Sequence, residues 1–278
     1  MRTVLICHRE DAIDRDGLAR WLASFSDLAG VVVIEEPRSR RIKRVRREIT
    51  RVGPIRFLDV LAFRLYYRVA LARSDARWRA ETLQALERRF APLPPATPVH
   101  ATASPNSAET EAFLRELAPD VVIARCKVLL KESVFSIART GTFVLHPGIC
   151  PEYRNAHGCF WALAEGDVDR VGLTLLRIDR GVDTGPIFGH YRYAYDDRDE
   201  SHVVIQYRVL LENLDTVAER LREIHRGEAE PIDTLGRASR AWGQPWLTRY
   251  IRWKRRARNR PRARARPDPL ATETSRDG

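Results

Sequence analysis

Short, fully apolar runs alternate with amphipathic segments along the first half of the chain. Five runs predict buried strands, at residues 4–7, 29–34, 99–103, 120–124 and 141–145. Apolar residues at intervals of three and four predict helices between them, at residues 14–25, 54–72 and 130–138 and after Ser107, a candidate N-cap. Strands that alternate with helices pair in parallel and are covered on both faces. The pattern therefore predicts a doubly wound α/β fold.

The pattern changes after residue 170. Residues 171–178 and 186–195 both have the composition of strands, and only a link rich in Gly and Asp separates them. This arrangement predicts that the mostly parallel sheet is mixed, or hairpin-like, at one end. A long amphipathic helix is predicted from Ser201 to Arg226, ended by Gly227.

The net charge of +11 is concentrated in two segments. Residues 37–51 contain eight Lys and Arg and one acid, and residues 249–278 contain eleven Lys and Arg and three acids. We expect both segments to be solvated and partly disordered, so that one α/β domain covers residues 1–248 and a basic, disordered tail covers residues 249–278. Because the remaining sequence is mildly acidic, a long groove for nucleic acid is disfavoured, whereas weak contact of the basic segments with an anionic membrane remains an alternative.

Several classes of protein are disfavoured by what the sequence lacks. No apolar run approaches the roughly 20 residues of a membrane span, and the apolar run at the start is too short for a signal peptide, which predicts a cytoplasmic protein. The four cysteines form no C-x-x-C pair and have no metal-ligand spacing, so reduced thiols and no metal site are expected. The sequence motifs of dinucleotide-binding folds, P-loops, zinc proteases and serine hydrolases are also missing.

The densest concentration of candidate chemistry lies in residues 144–186. His146 directly follows a predicted strand, where open α/β sheets bind their ligands. Asp183 lies in a second tight loop, between Gly181 and Gly185. If both loops lie at one edge of the sheet, the carboxylate raises the pKa of the imidazole and fixes its tautomer, which suits general acid–base chemistry near neutral pH.

The motifs in this region resemble those of the formyltransferase superfamily, which includes glycinamide ribonucleotide, methionyl-tRNA and sugar N-formyltransferases. The resemblance is strongest from Pro119 to Ile187. It rests on residues 146–148, Pro151, Tyr153, Arg154, residues 161–163, Gly166, Asp167, Gly172, Thr174 and residues 183–187. It implies a Rossmann-like formyltransferase sheet flanked by helices, and transfer of a formyl group from 10-formyltetrahydrofolate to an amine.

The resemblance also implies roles for individual residues. His146 corresponds to the family's catalytic histidine and acts as acid and base, and Asp183 corresponds to its catalytic aspartate. Folate would be bound through the backbone of two loops, at Lys127, Val128 and Leu129 and at Val182 with Asp183.

Two positions depart from the family's pattern, and one of them, Asn155, replaces the glycine that usually follows the arginine. Val144 occupies the position of the asparagine whose amide donates to the oxyanion, and loss of one such donor costs roughly a hundred- to thousandfold in rate. Asn155 or His157 in the following turn is a candidate replacement donor, and both are candidate substrate-binding residues. Arg154 is a third candidate substrate-binding residue, which would bind a phosphate or carboxylate of the acceptor.

The acceptor predicted from the resemblance is a small molecule or a sugar nucleotide. Only about fifty residues follow the predicted long helix, fewer than the C-terminal barrel of a methionyl-tRNA formyltransferase needs. The basic insert and the helix after it also distinguish the chain from the purine-pathway enzymes. Two alternatives stay open: a catalytically degenerate formyltransferase fold that binds a ligand, and a formyl-folate hydrolase that uses water as acceptor. Assembly into a homodimer is a further expectation.

Overall fold

The structure of the protein is a computed structural model that describes residues 1–260, apart from the side chains of residues 38–41, 43 and 44. Its strands are β1 (Arg2–His8), β2 (Asp27–Ile34), β3 (Val99–Thr102), β4 (Val121–Arg125), β5 (Gly141–Pro147), β6 (Arg154–Asn155), β7 (Leu173–Arg177), β8 (Ile187–Tyr191) and β9 (Ala241–Trp242). Seven of them form one sheet in the order β3-β2-β1-β4-β5-β7-β8, and β6 pairs with β9.

The sheet is parallel from β3 to β5, whereas β7 is antiparallel to β5 and β8 is antiparallel to β7. Alternate residues of a strand point to opposite faces. In β1, Leu5 and Cys7 therefore pack in one core and Val4 and Ile6 pack in another on the opposite face. A strand segment that is buried on both faces is apolar, as residues 4–7 of β1 are. The predicted doubly wound, mostly parallel sheet with a mixed end is confirmed.

Helices cover both faces of this sheet. They are α1 (Ala19–Phe25), α2 (Arg38–Val52), α3 (Pro54–Tyr66), α4 (Ala72–Arg89), α5 (Ala108–Leu117), α6 (Glu132–Phe135), α7 (Gly158–Glu165), α8 (His202–Leu211), α9 (Leu214–Arg226) and α10 (Leu247–Asn259). Two π-helical turns, Ile13–Leu18 and Tyr67–Leu71, lead into α1 and α4. The side chain of Ser107 caps α5, as predicted, by accepting the N–H of Thr110.

The predicted long helix from Ser201 to Arg226 is interrupted. Ser201 does cap its start, but α8 ends at Leu211 and α9 begins at Leu214. Between them, the side-chain amide of Asn213 donates to the carbonyls of Val209 and Arg192. An asparagine that bonds to nearby backbone competes with the helical hydrogen bonds, which accounts for the break.

Both basic segments differ from their predictions. Residues 38–52 form α2, and the Glu48 carboxylate within it accepts hydrogen bonds from the Arg51 side chain and from the Gln244 N–H. The predicted tail is wrong over its first part, because residues 247–259 form α10, which packs against α3 and α7. Tyr250, Trp253 and Ala257 of α10 are buried, and their spacing gives the basic helix one apolar face. The rest of the predicted tail, residues 261–278, lies outside the described residues.

None of the helices in residues 1–260 is both long and apolar enough to cross a membrane.

Replacement of the buried face of α10 should destabilise the whole domain. We expect Trp253→Ala to lower the free energy of unfolding by about 3–5 kcal/mol, because its fully buried ring packs against Phe160 and Tyr250. Ile251→Ala, at an exposed position of the same helix, should change it by less than about 0.5 kcal/mol. Urea denaturation of the full chain measures both. Equally small effects would mean that the helix does not belong to the domain.

Candidate active site

The His146 side chain lies at the carboxyl end of β5 and is almost completely buried. Its Nε2 lies 2.8 Å from the carbonyl oxygen of Tyr153, to which it donates. Its Nδ1 lies 3.5 Å from Oδ2 of Asp183. Because both ring nitrogens face oxygen acceptors, the orientation of the imidazole is fixed on both sides.

Asp183 reaches His146 by a different route from the one that the sequence suggests. β7 is antiparallel, so its last residue, Arg177, pairs with Phe143, near the start of β5. The loop of residues 178–186 therefore leaves the sheet far from the carboxyl end of β5 and must return toward His146. The ends of β5 and β7 therefore do not meet at one edge of the sheet, but the two side chains come together as expected.

The loop that carries Asp183 is held by its own side chains and by a close backbone approach. The Asp179 carboxylate accepts the Gly181 N–H and the Thr184 hydroxyl. A Cβ atom on Gly185 would lie 1.9 Å from the Arg177 carbonyl oxygen, so only glycine fits there. These contacts fix the backbone conformation of the loop and so the position of Asp183.

The pKa of His146 is raised by its neighbours. Burial lowers this pKa, but the Cys150 sulfur and the Asp183 carboxylate raise it, as does the Tyr153 carbonyl, and the result is a pKa of about 10. The imidazole is therefore protonated at neutral pH, in agreement with an acceptor at each nitrogen. In this form it can donate a proton to a leaving group.

The turn at residues 154–157 lies against the Asp183 loop. The Asn155 N–H donates to Asp183 Oδ2 at 2.7 Å, and the Arg154 guanidinium donates to the Val182 carbonyl at 2.7 Å and to the Ser239 hydroxyl at 2.9 Å. The Arg154 guanidinium, which was predicted to bind the acceptor, therefore holds its own turn against the loop that carries Asp183. The side-chain amide of Asn155 is also engaged, since it donates to the Trp242 carbonyl.

Backbone strain is concentrated at this site. Asn155, His157 and Asp183 have φ angles of 75°, 57° and 51°, in the left-handed region that residues with a Cβ atom rarely adopt. One other non-glycine residue among positions 1–260, Ala118, has a positive φ, and it lies at the end of α5. Strain of this kind persists where the surrounding contacts impose it, and it often marks functional sites.

His157 lies at the N-terminus of α7, and its ring packs toward α8. Nδ1 lies 3.4 Å from the side-chain nitrogen of Gln206, which can donate to it. Burial and the positive charges of Lys127 and Arg64 lower the pKa of His157 to about 4. The imidazole is therefore neutral at physiological pH, and with Nδ1 as acceptor its proton is on Nε2.

Val144 lies two residues before His146 and so on the same face of β5. Its side chain is half-buried and packs against the apolar cluster of Cys150, Leu176 and Ile187. An apolar side chain that packs here offers no hydrogen-bond donor.

The predicted folate-binding loops follow β4 and β7. The Lys127 N–H donates to His8 Nε2, the Val128 carbonyl accepts from the Cys126 thiol, and Leu129 is an exposed apolar side chain. Because β4 and β5 are adjacent and parallel, residues 127–129 lie at the same edge of the sheet as His146. Val182, in the other loop, is half-buried, and its carbonyl already accepts from Arg154.

A cavity of about 220 Å³ opens beside Asp183. Its lining is rich in hydroxyl and guanidinium groups: Pro151, Arg154, Asp183, Thr184, Gly185, Ile187, Thr234, Arg237 and Ser239. The Arg237 guanidinium donates to both oxygens of Glu152, at 2.9 and 2.7 Å. The cavity is therefore polar, and the orientation of its arginines is set by existing contacts.

An aromatic stack that the sequence analysis missed supports this site. The Trp242 ring stacks on Tyr153 and on Trp161, with centroids 5.5 and 4.7 Å apart, and its indole N–H donates to the Glu152 carbonyl. Trp242 thus holds the backbone whose Tyr153 carbonyl binds His146. The three tryptophans between residues 242 and 253 are the sequence signal that could have indicated this packing. The Cys150 side chain also lies beside His146.

A family model described as "Formyl transferase" matches residues 79–219 of this chain. Among curated proteins, the methionyl-tRNA formyltransferase of Chlorobium limicola is 31% identical over 166 residues, which cover 58% of this chain and 50% of that protein. That of Dehalococcoides mccartyi strain CBDB1 is 34% identical over 97 residues, which cover 34% of this chain and 31% of that protein. The chain therefore spans half or less of the length of these relatives.

Solved structures share the fold. A sugar N-formyltransferase from a Shewanella species has a TM-score of 0.54 and 12% identity, and the match covers 92% of this chain and 88% of that one. A phosphoribosylglycinamide formyltransferase from Anaplasma phagocytophilum has a TM-score of 0.52 and 14% identity. This match covers 88% of this chain and 99% of that one. At these identities the likeness extends to the fold alone.

The raised pKa of His146 should make the stability of the protein depend on pH. An imidazole in the unfolded chain has a pKa of about 6.5, so His146 stabilises the fold fully below about pH 6.5 and loses this contribution as the pH rises through about 10. We expect urea denaturation of the wild type to show this decline between about pH 6.5 and 10. The decline should be smaller in His146→Gln, and His100→Gln on the edge strand β3 should retain it. The same decline in all three proteins would contradict the assignment.

Proposed function

The chain belongs to the formyl transferase family, and we propose that it moves a formyl group from 10-formyltetrahydrofolate to an amine of a small molecule or sugar nucleotide. The observation that carries this proposal is the contact between His146 Nδ1 and Asp183 Oδ2 at the carboxyl end of β5. Both residues occur in motifs that the family shares, and they meet although 37 positions separate them in the sequence.

In the proposed reaction, the formyl donor supplies an electrophilic carbon and the acceptor amine attacks it. His146 begins the reaction protonated and gives its proton to the departing nitrogen of the donor. Asp183 orients the imidazolium and accepts a proton from the attacking amine, directly or through a water. The Asn155 N–H, which binds the same carboxylate oxygen, holds Asp183 in place for both roles.

Two loops support the assignment of a folate site that the resemblance implies. Residues 127–129 and residues 182–183 offer apolar side chains, such as the exposed Leu129, with backbone groups beside them. Backbone recognition does not depend on side-chain identity, so it tolerates the change at Val144. We therefore assign folate binding to Lys127, Val128, Leu129, Val182 and Asp183.

The oxyanion requires a donor that Val144 does not provide. Asn155 is a poor replacement, because its amide is bound to the Trp242 carbonyl. We assign this role to Nε2–H of His157, which is neutral, is oriented by Gln206 and lies in the turn next to Asn155. One preorganised donor of this kind is worth roughly two to three orders of magnitude in rate.

The polar cavity beside Asp183 supports a small, hydroxyl-rich acceptor. Its volume of about 220 Å³ suits a single sugar ring, and its lining includes three hydroxyl side chains and two arginines. Arg154 and Arg237 can each offer a remaining guanidinium N–H to an anionic or hydroxylated acceptor, although both are already held by protein contacts.

A second candidate function is ligand binding without turnover, which the apolar Val144 favours. A third is hydrolysis of the formyl donor, which needs the same His146 and Asp183 with water as acceptor. Incubation with 10-formyltetrahydrofolate, with and without amino-sugar nucleotides, separates the three. Tetrahydrofolate release that requires the amine supports transfer, release without it supports hydrolysis, and binding without release supports the degenerate fold.

Removal of either member of the pair should abolish most of the activity. We expect His146→Gln and Asp183→Asn each to lower kcat/KM by at least about a hundredfold, because general acid–base groups contribute at this level. His100→Gln, on the distant strand β3, should leave it within about twofold. Release of tetrahydrofolate measures the rates. Retention of full activity in either site variant would refute the proposed roles.

Restoration of an amide at position 144 tests whether a donor is missing. If His157 compensates only in part, Val144→Asn should raise kcat by roughly tenfold or more, while Val144→Leu should not. His157→Ala should lower the wild-type rate by roughly a hundredfold and should lower that of Val144→Asn much less. A fast wild type that His157→Ala leaves unchanged would show that another group binds the oxyanion.

A further inference from the structure

One face of α3 and of the turn after it carries exposed aliphatic side chains. Phe57, Val60 and Phe63 are buried against the domain. The side chains on the opposite face are largely exposed: Ile55 by 83%, Leu58 by 64%, Leu61 by 42%, Leu65 by 65% and Val69 by 79%. Their spacing of three and four residues aligns them in one continuous stripe, which we call the α3 stripe.

The first turns of α10 lie beside this stripe. The Asp59 carboxylate of α3 accepts the N–H and the hydroxyl of Thr248, and the Tyr66 ring contacts that of Tyr250. Ile251, which follows Tyr250, is 40% exposed and extends the apolar surface. A contiguous exposed apolar surface on a folded domain commonly marks an interaction site.

Arginines border the α3 stripe. Arg68 flanks it on the turn after α3, Arg73 follows on α4, and Arg252 and Arg255 lie on the exposed face of α10. Within residues 1–260, none of these four forms an ion pair. The sequence from residue 49 to residue 74 contains one acidic residue, Asp59, and its carboxylate accepts a hydrogen bond from the Thr248 hydroxyl. The surface is therefore apolar at its centre and positive at its border.

We propose that the α3 stripe is a docking surface for an anionic lipid bilayer. Aliphatic side chains insert into the boundary between head groups and acyl chains, while the arginines bind lipid phosphates. Anionic head groups match the charge of the border, and each nearby Arg or Lys adds to the attraction. This surface replaces the two basic segments as the membrane contact, since α2 is docked on the domain and α10 contributes only its exposed face.

Two other occupants match the surface less well. In a symmetric dimer formed through the α3 stripe, the same surface would meet itself, so its unpaired arginines would approach the arginines of the second copy. A nucleic acid would satisfy the arginines but would leave the exposed leucines and isoleucine against a charged backbone. A bilayer with anionic head groups satisfies both the apolar centre and the positive border.

Vesicle co-sedimentation of the full chain tests the proposal. We expect the wild type to sediment with vesicles that contain phosphatidylglycerol, more weakly at high salt, and to stay in solution with pure phosphatidylcholine. Leu65→Glu and Val69→Glu should each weaken binding by roughly tenfold. Leu235→Glu is the matched control, because Leu235 is also an exposed apolar residue, 92% accessible, but follows Thr234 of the lining of the cavity beside Asp183. Circular dichroism checks that each variant is folded.

Three outcomes would overturn the proposal. The first is no sedimentation of the wild type with anionic vesicles at low salt. The second is binding that Leu65→Glu and Val69→Glu leave unchanged but that deletion of residues 261–278 abolishes, which would assign the contact to that segment. The third is a concentration-dependent dimer that Leu65→Glu dissociates, without vesicle binding, which would assign the α3 stripe to a second copy of the chain.

Discussion

The candidate site depends on the contacts that the Asp183 carboxylate makes. One of its oxygens accepts the Asn155 N–H at 2.7 Å and faces His146 Nδ1 at 3.5 Å, so it joins the end of β5, the turn at residues 154–157 and the loop at residues 178–186. Without this contact the imidazole would lose the partner that fixes one of its nitrogens. The bond from Arg154 to the Val182 carbonyl strengthens the same junction.

The direction of β7 imposes the second constraint. Because β7 is antiparallel to β5, it ends beside the start of β5, far from His146. The loop that follows β7 must therefore return along the sheet to reach His146. This loop has a strained backbone, since Asp183 has a left-handed conformation. It is also tight, because Gly185 leaves no room for a Cβ atom beside the Arg177 carbonyl. Tertiary contacts, including the stack of Trp242 on Tyr153, hold the other side of the site against this loop.

The acid–base part of the site and the oxyanion part differ in how closely they follow the family. The raised pKa of His146 suits donation of a proton, whereas Val144 packs in an apolar cluster and donates nothing. His157, which burial and the charge of Lys127 keep neutral, is the donor that we propose in its place. Burial lowers the pKa of both histidines, and the outcomes differ because the Cys150 sulfur and the Asp183 carboxylate raise the pKa of His146, whereas nearby cations lower that of His157 further.

The sequence by itself determined the seven strands of the main sheet in their order along the chain, the mixed end of the sheet and the family motifs at His146 and Asp183, because apolar periodicity and motif spacing are local properties. It did not determine the break at Asn213 or the packing of α10, since each depends on contacts with residues far away in the sequence. Nor did it show how Asp183 reaches His146, because strand direction and loop return are properties of the assembled sheet. The partners of Arg154 and Asn155 were likewise decided by tertiary structure, as both bond to segments that lie 28 to 87 residues away.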